Sequence, residues 1–135
     1  MQLIPYLTFN GNCEAAFKFY EKCLGGKIGM IMTHGESPMA SQVPENWRSK
    51  IMHASMTVGG AALMGSDAPP DHYQKPAGFS VSFSVEKPAD AERIFKSLSE
   101  SGTVQMALQK TFWAERFGTL VDKFGIPWMI SCETA

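Results

Sequence analysis

The feature that most restricts the fold is a repeat inside the chain. Glu14-Ala15-Ala16-Phe17-Lys18-Phe19-Tyr20 has a counterpart in Asp90-Ala91-Glu92-Arg93-Ile94-Phe95-Lys96. At the same offset of 76 residues, Ala15 falls on Ala91, Phe19 on Phe95, Gly26 on Gly102 and Ile28 on Val104. Each copy reads as an amphipathic helix that follows a strand, ends at a glycine and leads into a second strand. Solenoids repeat every roughly 20–50 residues and need at least three copies. Two copies within 135 residues instead make a module and its duplicate.

The first module spans residues 1–65. Leu3 to Phe9 alternates as a strand, Asn10-Gly11-Asn12 turns, and Asn12 is placed to cap a helix over Cys13 to Leu24. Ala16, Phe17, Tyr20, Cys23 and Leu24 recur at three and four, the buried stripe of that helix, and Gly25-Gly26 stops it. Strands follow over Lys27–His34, Lys50–Val58 and Ala61–Met64, the last two joined by the turn Gly59-Gly60. Residues 35–49 have no period and carry two prolines, so they read as a long loop. A Pro-rich linker, Ser66 to Ala77, leads to the second module, residues 78–135. There Phe79, Val81, Phe83 and Val85 alternate with Ser80, Ser82 and Ser84. Pro88 opens a helix buried through Ala91, Ile94, Phe95 and Leu98, and strands follow over Thr103–Leu108, Arg116–Asp122 and Ile126–Cys132. The expected architecture is α+β: one domain of two tandem βαβββ modules, whose sheets curve into a trough.

Composition removes several functions. With 12 basic and 13 acidic residues the net charge is −1, too balanced for a nucleic-acid protein that must meet phosphates. No run approaches the roughly 18–20 apolar residues of a membrane span. The first residues lack the basic, apolar, small-residue order of a signal peptide, which points to the cytoplasm. Cys13, Cys23 and Cys132 are an odd number with no C-x-x-C spacing, which fits a reducing compartment and excludes a zinc ribbon or a thioredoxin-type pair.

Tyr6-Leu7-Thr8-Phe9-Asn10-Gly11-Asn12-Cys13, the run from His53 through Asp67, Thr111-Phe112-Trp113, and Asp122-Lys123-Phe124-Gly125-Ile126-Pro127-Trp128-Met129-Ile130 resemble the PhnB-like branch of the glyoxalase/bleomycin-resistance/extradiol-dioxygenase (vicinal oxygen chelate) superfamily. The resemblance covers nearly the whole chain. It implies a divalent metal held by four His, Glu or Gln side chains from the first and last strand of each module, and it implies a homodimer. Those positions fall near Pro5, Leu63 or Met64, Ser80 and Met129, with Ile4, Tyr6, Val81 and Ile130 as neighbours, and none is His, Glu or Gln. No metal and no cofactor are therefore expected. Some PhnB-like sequences carry a demethylubiquinone methyltransferase label, but no G-x-G-x-G follows a strand here to hold a nucleoside methyl donor.

The candidate ligand-binding residues are His53, Asp67, Phe112, Trp113 and Ser80. His53 alternates with Ser55 and Thr57 on the polar side of its strand, where it can bind a ligand or move a proton. Asp67 can orient His53 or satisfy a turn before Pro69; Phe112 and Trp113 can wall an apolar pocket, whereas Trp128 reads as core. Ser80 would point into the trough. Trp47 reads as a lid or a dimer contact; His34, Glu36, His72 and Asp67 are the residues a relocated metal site would draw on, but they lie on separate loops with no fixed spacing and read first as surface and turn residues. Met30, Met32, Met52, Met56, Met64, Met106 and Met129 all fall in strands and read first as core. The first functional expectation is a metal-free small-molecule-binding protein. The second is a metal-dependent lyase, isomerase or dioxygenase-type enzyme with relocated ligands. The third is a methyltransferase.

Overall fold

In a computed structural model, residues 1–133 are described, and Thr134 and Ala135 at the end of the expected second module lie outside the described residues. The chain divides into two compact units, Met1–Gln74 and Lys75–Ala135. The first carries β1 (Tyr6–Phe9), α1 (Cys13–Leu24), β2 (Lys27–Thr33), β3 (Ile51–Val58) and β4 (Ala61–Asp67). The second carries β5 (Val81–Ser84), α2 (Pro88–Ser99), β6 (Thr103–Gln109), β7 (Arg116–Val121) and β8 (Pro127–Cys132). Each unit is a four-stranded mixed sheet with one helix. The strand orders are β1-β4-β3-β2 and β5-β8-β7-β6, so the same topology occurs twice. In each sheet the first strand runs parallel to the last, and the remaining pairs are antiparallel.

Several boundaries differ from the sequence reading. β1 begins at Tyr6 rather than Leu3, because its parallel pairing with β4 starts at Met64; Leu3 is fully exposed. β4 runs on to Asp67 rather than ending at Met64, since β1 supplies partners as far as Phe9. Residues 34–47 are not without structure: they form three single 3₁₀ turns, His34–Glu36, Ala40–Gln42 and Glu45–Trp47.

Each helix covers one sheet face. Cys13, Ala16, Phe17, Tyr20, Cys23 and Leu24 of α1 are buried with Leu7, Phe9, Ala54, Met56 and Leu63 of the sheet. Phe9 and Phe17 meet edge to face at 6.2 Å. Under α2, Ala91, Ile94, Phe95 and Leu98 are buried with Leu120, Trp128 and Ile130. In both units the helix lays a ring on a sheet glycine. A Cβ on Gly65 would stand 2.8 Å from Phe17, and one on Gly118 would stand 2.7 Å from Phe95.

The repeat is confirmed as architecture but corrected in register. Cys13 and Pro88, which open the helices, lie 75 residues apart; Lys27 and Thr103, which open the following strands, lie 76 apart. Hence Ala15 is exposed and Phe19 half-exposed, whereas Ala91 and Phe95 are buried. The extra residue sits after the helix: Gly25-Gly26 in one unit, Glu100-Ser101-Gly102 in the other, with Gly25 and Ser101 each left-handed. The match of Gly26 to Gly102 holds for a physical reason. A Cβ on either would strike a carbonyl oxygen of the neighbouring strand, that of Thr57 for Gly26 and that of Val121 for Gly102.

Candidate functional site

The sheet faces turned away from the helices carry the chemistry. Pairing aligns one cross-strand row on each: Met30, Ser55, Met64 and Tyr6 in the first unit, Met106, Thr119, Met129 and Ser82 in the second. Paired residues of adjacent strands project to the same side. The two rows match in kind, methionine, hydroxyl, methionine, and differ at the last position, where Tyr6 answers to Ser82. This corrects the reading of the strand methionines as core. Of the seven, only Met56 is buried, and Met30 and Met106 are 42% and 41% exposed. Flexible, polarizable thioethers on an open sheet face suit an apolar ligand better than a packed interior.

The same rows cross the first and last strand of each module, where the resemblance implies metal ligands, near the positions it gives as Pro5, Leu63 or Met64, Ser80 and Met129. The row residues on those strands are Tyr6 and Met64, and Ser82 and Met129. Phenol, thioether and hydroxyl groups do not fit a cage of imidazoles and carboxylates. Among the described residues no three His, Cys, Asp or Glu side chains converge as a set that could hold an ion. His34 points its Nε2 at the Asp67 carbonyl, at 3.5 Å, while the exposed His72 lies 3.7 Å from Asp71.

His53 lies on the open face, as its alternation implies, and its Nδ1 is 3.2 Å from the Tyr6 hydroxyl. Tyr6 is on β1 and His53 on β3, with β4 between them. The tyrosine ring therefore spans β4, across roughly 9–10 Å of sheet. Tyr6 was missed by the sequence reading, since only the register shows that it reaches the histidine.

Asp67 is turned the other way. It is buried; its Oδ1 accepts hydrogen bonds from the Gly11 and Cys13 N–H groups at 3.0 and 2.9 Å, and its Oδ2 accepts one from Ile51 N–H at 2.9 Å. It does not orient His53; its carboxylate fastens the start of α1 and the start of β3. The expected cap, Asn12, makes no side-chain bond. The carboxylate at the helix N-terminus takes its place, favoured by the free N–H groups and the helix dipole. The adjoining Cys13 thiol is pushed far above its ordinary range, first by burial and then by the charges of Asp67 and Glu14. It is a packed thiol, not a nucleophile.

In the second unit Ser80 lines a groove of about 790 Å³. The chain entering the unit, Lys75 to Phe79, forms one wall; Thr103 and Gln105 of β6, Val121, Gly125, Pro127 and Met129 complete it. Phe112 and Trp113 lie outside that lining. Phe112 is 96% exposed and Trp113 50%. Their rings meet at 4.7 Å, and Trp113 meets Phe117 of β7 edge to face at 5.3 Å. Phe117 shares the open face with Val121, four residues along the strand, so the aromatic corner and the groove lie on one face roughly 13 Å apart. Trp128 is core, its indole N–H donating to Asp122 at 2.9 Å. Trp47, read as a lid or dimer contact, rests on the first unit itself, with Lys50 Nζ 5.9 Å above its ring. Lys75 and Gln105 were not anticipated; exposed polar residues on a linker and an edge strand leave no periodic signal.

The chain matches the family described as 3-demethylubiquinone-9 3-methyltransferase over residues 1–131. It is 37% identical to the protein YjdN of Escherichia coli (strain K12), a match covering 97% of this chain and 95% of that one. Among solved structures, protein PA1353 from Pseudomonas aeruginosa is 46% identical with a TM-score of 0.92, over 100% of this chain and 99% of that chain. The PhnB protein from Bacillus cereus is 23% identical with a TM-score of 0.80, over 98% and 99%. The fold alone is shared with a glyoxalase/bleomycin resistance protein/dioxygenase family enzyme from Burkholderia phytofirmans PsJN, 11% identical with a TM-score of 0.66 over 96% of each chain. No described helix is long and apolar enough to cross a membrane.

Proposed function

The chain belongs to the 3-demethylubiquinone-9 3-methyltransferase family, the PhnB-like branch of the glyoxalase/bleomycin-resistance superfamily, and from that premise we propose that it is a cytoplasmic, homodimeric small-molecule-binding protein lacking the superfamily's metal site. The observation that carries the reading is the groove around Ser80. Its volume of about 790 Å³ falls within the roughly 300–1,000 Å³ of small-ligand sites. Its lining mixes apolar Phe79, Val121, Pro127 and Met129 with the neutral polar groups of Ser80, Thr103 and Gln105, the usual composition of such sites. The absence of imidazole and carboxylate from the first and last strands of the open faces supports binding without a metal. Methyl transfer draws no support from the fold. Nucleoside donors sit on Gly-rich turns of doubly wound parallel sheets, and here each sheet has one parallel pair. The strand-to-helix turns are Asn10-Gly11-Asn12 and Val85-Glu86-Lys87.

The test uses the neutral fluorophore N-phenyl-1-naphthylamine. Wild-type protein binds it with blue-shifted emission, and Ser80→Trp, a filling change at an exposed position, weakens binding about tenfold or more. Equal affinity in the two proteins would remove the groove from the proposal.

A further inference from the structure

Lys75 is the one ionisable residue in the lining of the groove. It forms no ion pair with a carboxylate among the described residues. Its backbone is constrained: Pro76 follows directly, and Gly78 at φ 78° turns the chain back so that Phe79 and Ser80 also line the groove. The lining also offers neutral hydrogen-bonding groups, the Thr103 hydroxyl and the Gln105 amide, and apolar surface from Phe79, Val121, Pro127 and Met129. Phe79 is 48% exposed, an aromatic ring left available to a ligand.

From this arrangement we propose that the groove selects a flat, apolar molecule carrying a single anionic group, an aromatic carboxylate or a close equivalent, with the anion met by Lys75. The proposal deepens the binding reading above and rests on it. Each part of the ligand follows from a part of the lining. A cation would meet Lys75 unfavourably and find no carboxylate in the groove. A dianion would have one charge without a partner. A wholly apolar ligand would leave the Ser80, Thr103 and Gln105 groups without partners, a cost that favours a molecule with acceptors of its own. A planar body suits the ring of Phe79 and the thioether of Met129. Lys75 is exposed, so its attraction is screened by salt and modest in size.

The experiment compares two probes of the same shape, 2-naphthoate and 2-naphthamide, titrated into the full-length chain and followed by the amide resonances of Gly78, Ser80, Gln105 and Gly125. At low salt the carboxylate binds three- to tenfold more tightly than the amide. The advantage disappears in Lys75→Gln and in 0.5 M NaCl, while the amide's affinity is unchanged in both. Equal affinities in the wild type, or an advantage that survives Lys75→Gln, overturn the anion preference. Silence from both naphthalenes while N-phenyl-1-naphthylamine still binds at Ser80 overturns the ligand class and leaves the binding reading standing. Silence from all three overturns both.

Discussion

The two units are built to one plan and fastened by different means. In the first, the Asp67 carboxylate joins three places distant in sequence: Gly11, Cys13 and Ile51. The equivalent position in the second unit, at the end of the last strand, is Cys132, whose thiol donates to the Glu86 carbonyl at 3.4 Å. There α2 begins with Pro88, which removes one of the free N–H groups of the helix start. The second unit's buried carboxylate is Asp122, which accepts from groups close in sequence, the Phe124 and Ile126 N–H and the Trp128 indole. The open faces differ in the same spirit. Tyr6 bridges to His53 across the first, and Ser82 leaves the floor of the second uncovered. A duplicated scaffold thus keeps its strand order, its glycine contacts and its methionine rows, while caps and end residues diverge.

The largest predicted effect tests the fastening. Asp67→Ala leaves three backbone donors without an acceptor, two of them in buried bonds, and costs about 3–5 kcal/mol in denaturant unfolding. Asp122→Ala removes the bonds from the Phe124 and Ile126 N–H groups and the Trp128 indole, which lie within six residues, where the turn can relax, and costs about 2–3 kcal/mol. Equal losses would mean that the span of Asp67 in sequence adds nothing to its value.

A symmetric pair of substitutions sharpens what the units share. Gly26→Ala and Gly102→Ala each drive a methyl into a carbonyl oxygen of the neighbouring strand, and each costs about 1–3 kcal/mol by overpacking. The two values should agree within about 1 kcal/mol if the shared carbonyl contact dominates over what differs, a Val58 methyl beside Gly26 and Asp122 backbone beside Gly102. A clear difference in unfolding midpoint between them would show that the repeat is matched in sequence but not in energy.

Much of this was legible beforehand, and the reasons are physical. Both βαβββ modules, both helices and the stripe of α2 follow from periodicity, because burial on one face dictates residue type. His53 could be assigned a face by alternation alone. What could not be read was long-range: that Asp67 caps α1 from 54 positions away from Cys13, and that Tyr6 reaches His53 over an intervening strand. The helix register slipped because the extra residue lies in the turn before β6, where Ser101 adopts the left-handed conformation that Gly25 supplies in the other copy. The groove was missed except for Ser80, since its walls come from an irregular linker and an edge strand, neither of which has a period.

The face comparison is tested by exchange. Ser82→Tyr puts on β5 the ring that β1 carries. It should cover Met129 and weaken binding of N-phenyl-1-naphthylamine about tenfold, while changing stability by less than about 1 kcal/mol, as surface substitutions do. Tyr6→Ser should likewise cost less than about 1 kcal/mol, the value of one exposed hydrogen bond. A variant with the tyrosine in place and undiminished fluorescence would show that the serine is not what keeps the second face open.

The smallest effect concerns the connection between the second and third strands of each module. In the first unit, Thr33 and Glu36 form a reciprocal cap. Glu36 N–H donates to the Thr33 hydroxyl at 3.3 Å, and the Glu36 carboxylate accepts from the Thr33 N–H at 3.1 Å and from its hydroxyl at 2.8 Å. In the second unit the turn Thr111–Ala114 is closed by hydroxyl and backbone alone. The bonds from Thr33 hold the Glu36 carboxyl below its ordinary value. A carboxyl whose pKa is lower in the folded state stabilises above its unfolded pKa, about 4.3, and that contribution is lost as pH falls through the folded value. Acid should therefore loosen the first connection before the second. The Thr33 amide resonance should shift with an apparent pKa below about 4.3 and stop shifting in Glu36→Gln, while the hydroxyl-closed bond from Ala114 N–H persists through the same range. A Thr33 titration at the ordinary glutamate value would mean that the cap is not formed in solution, and that the two connections differ in length but not in their response to acid.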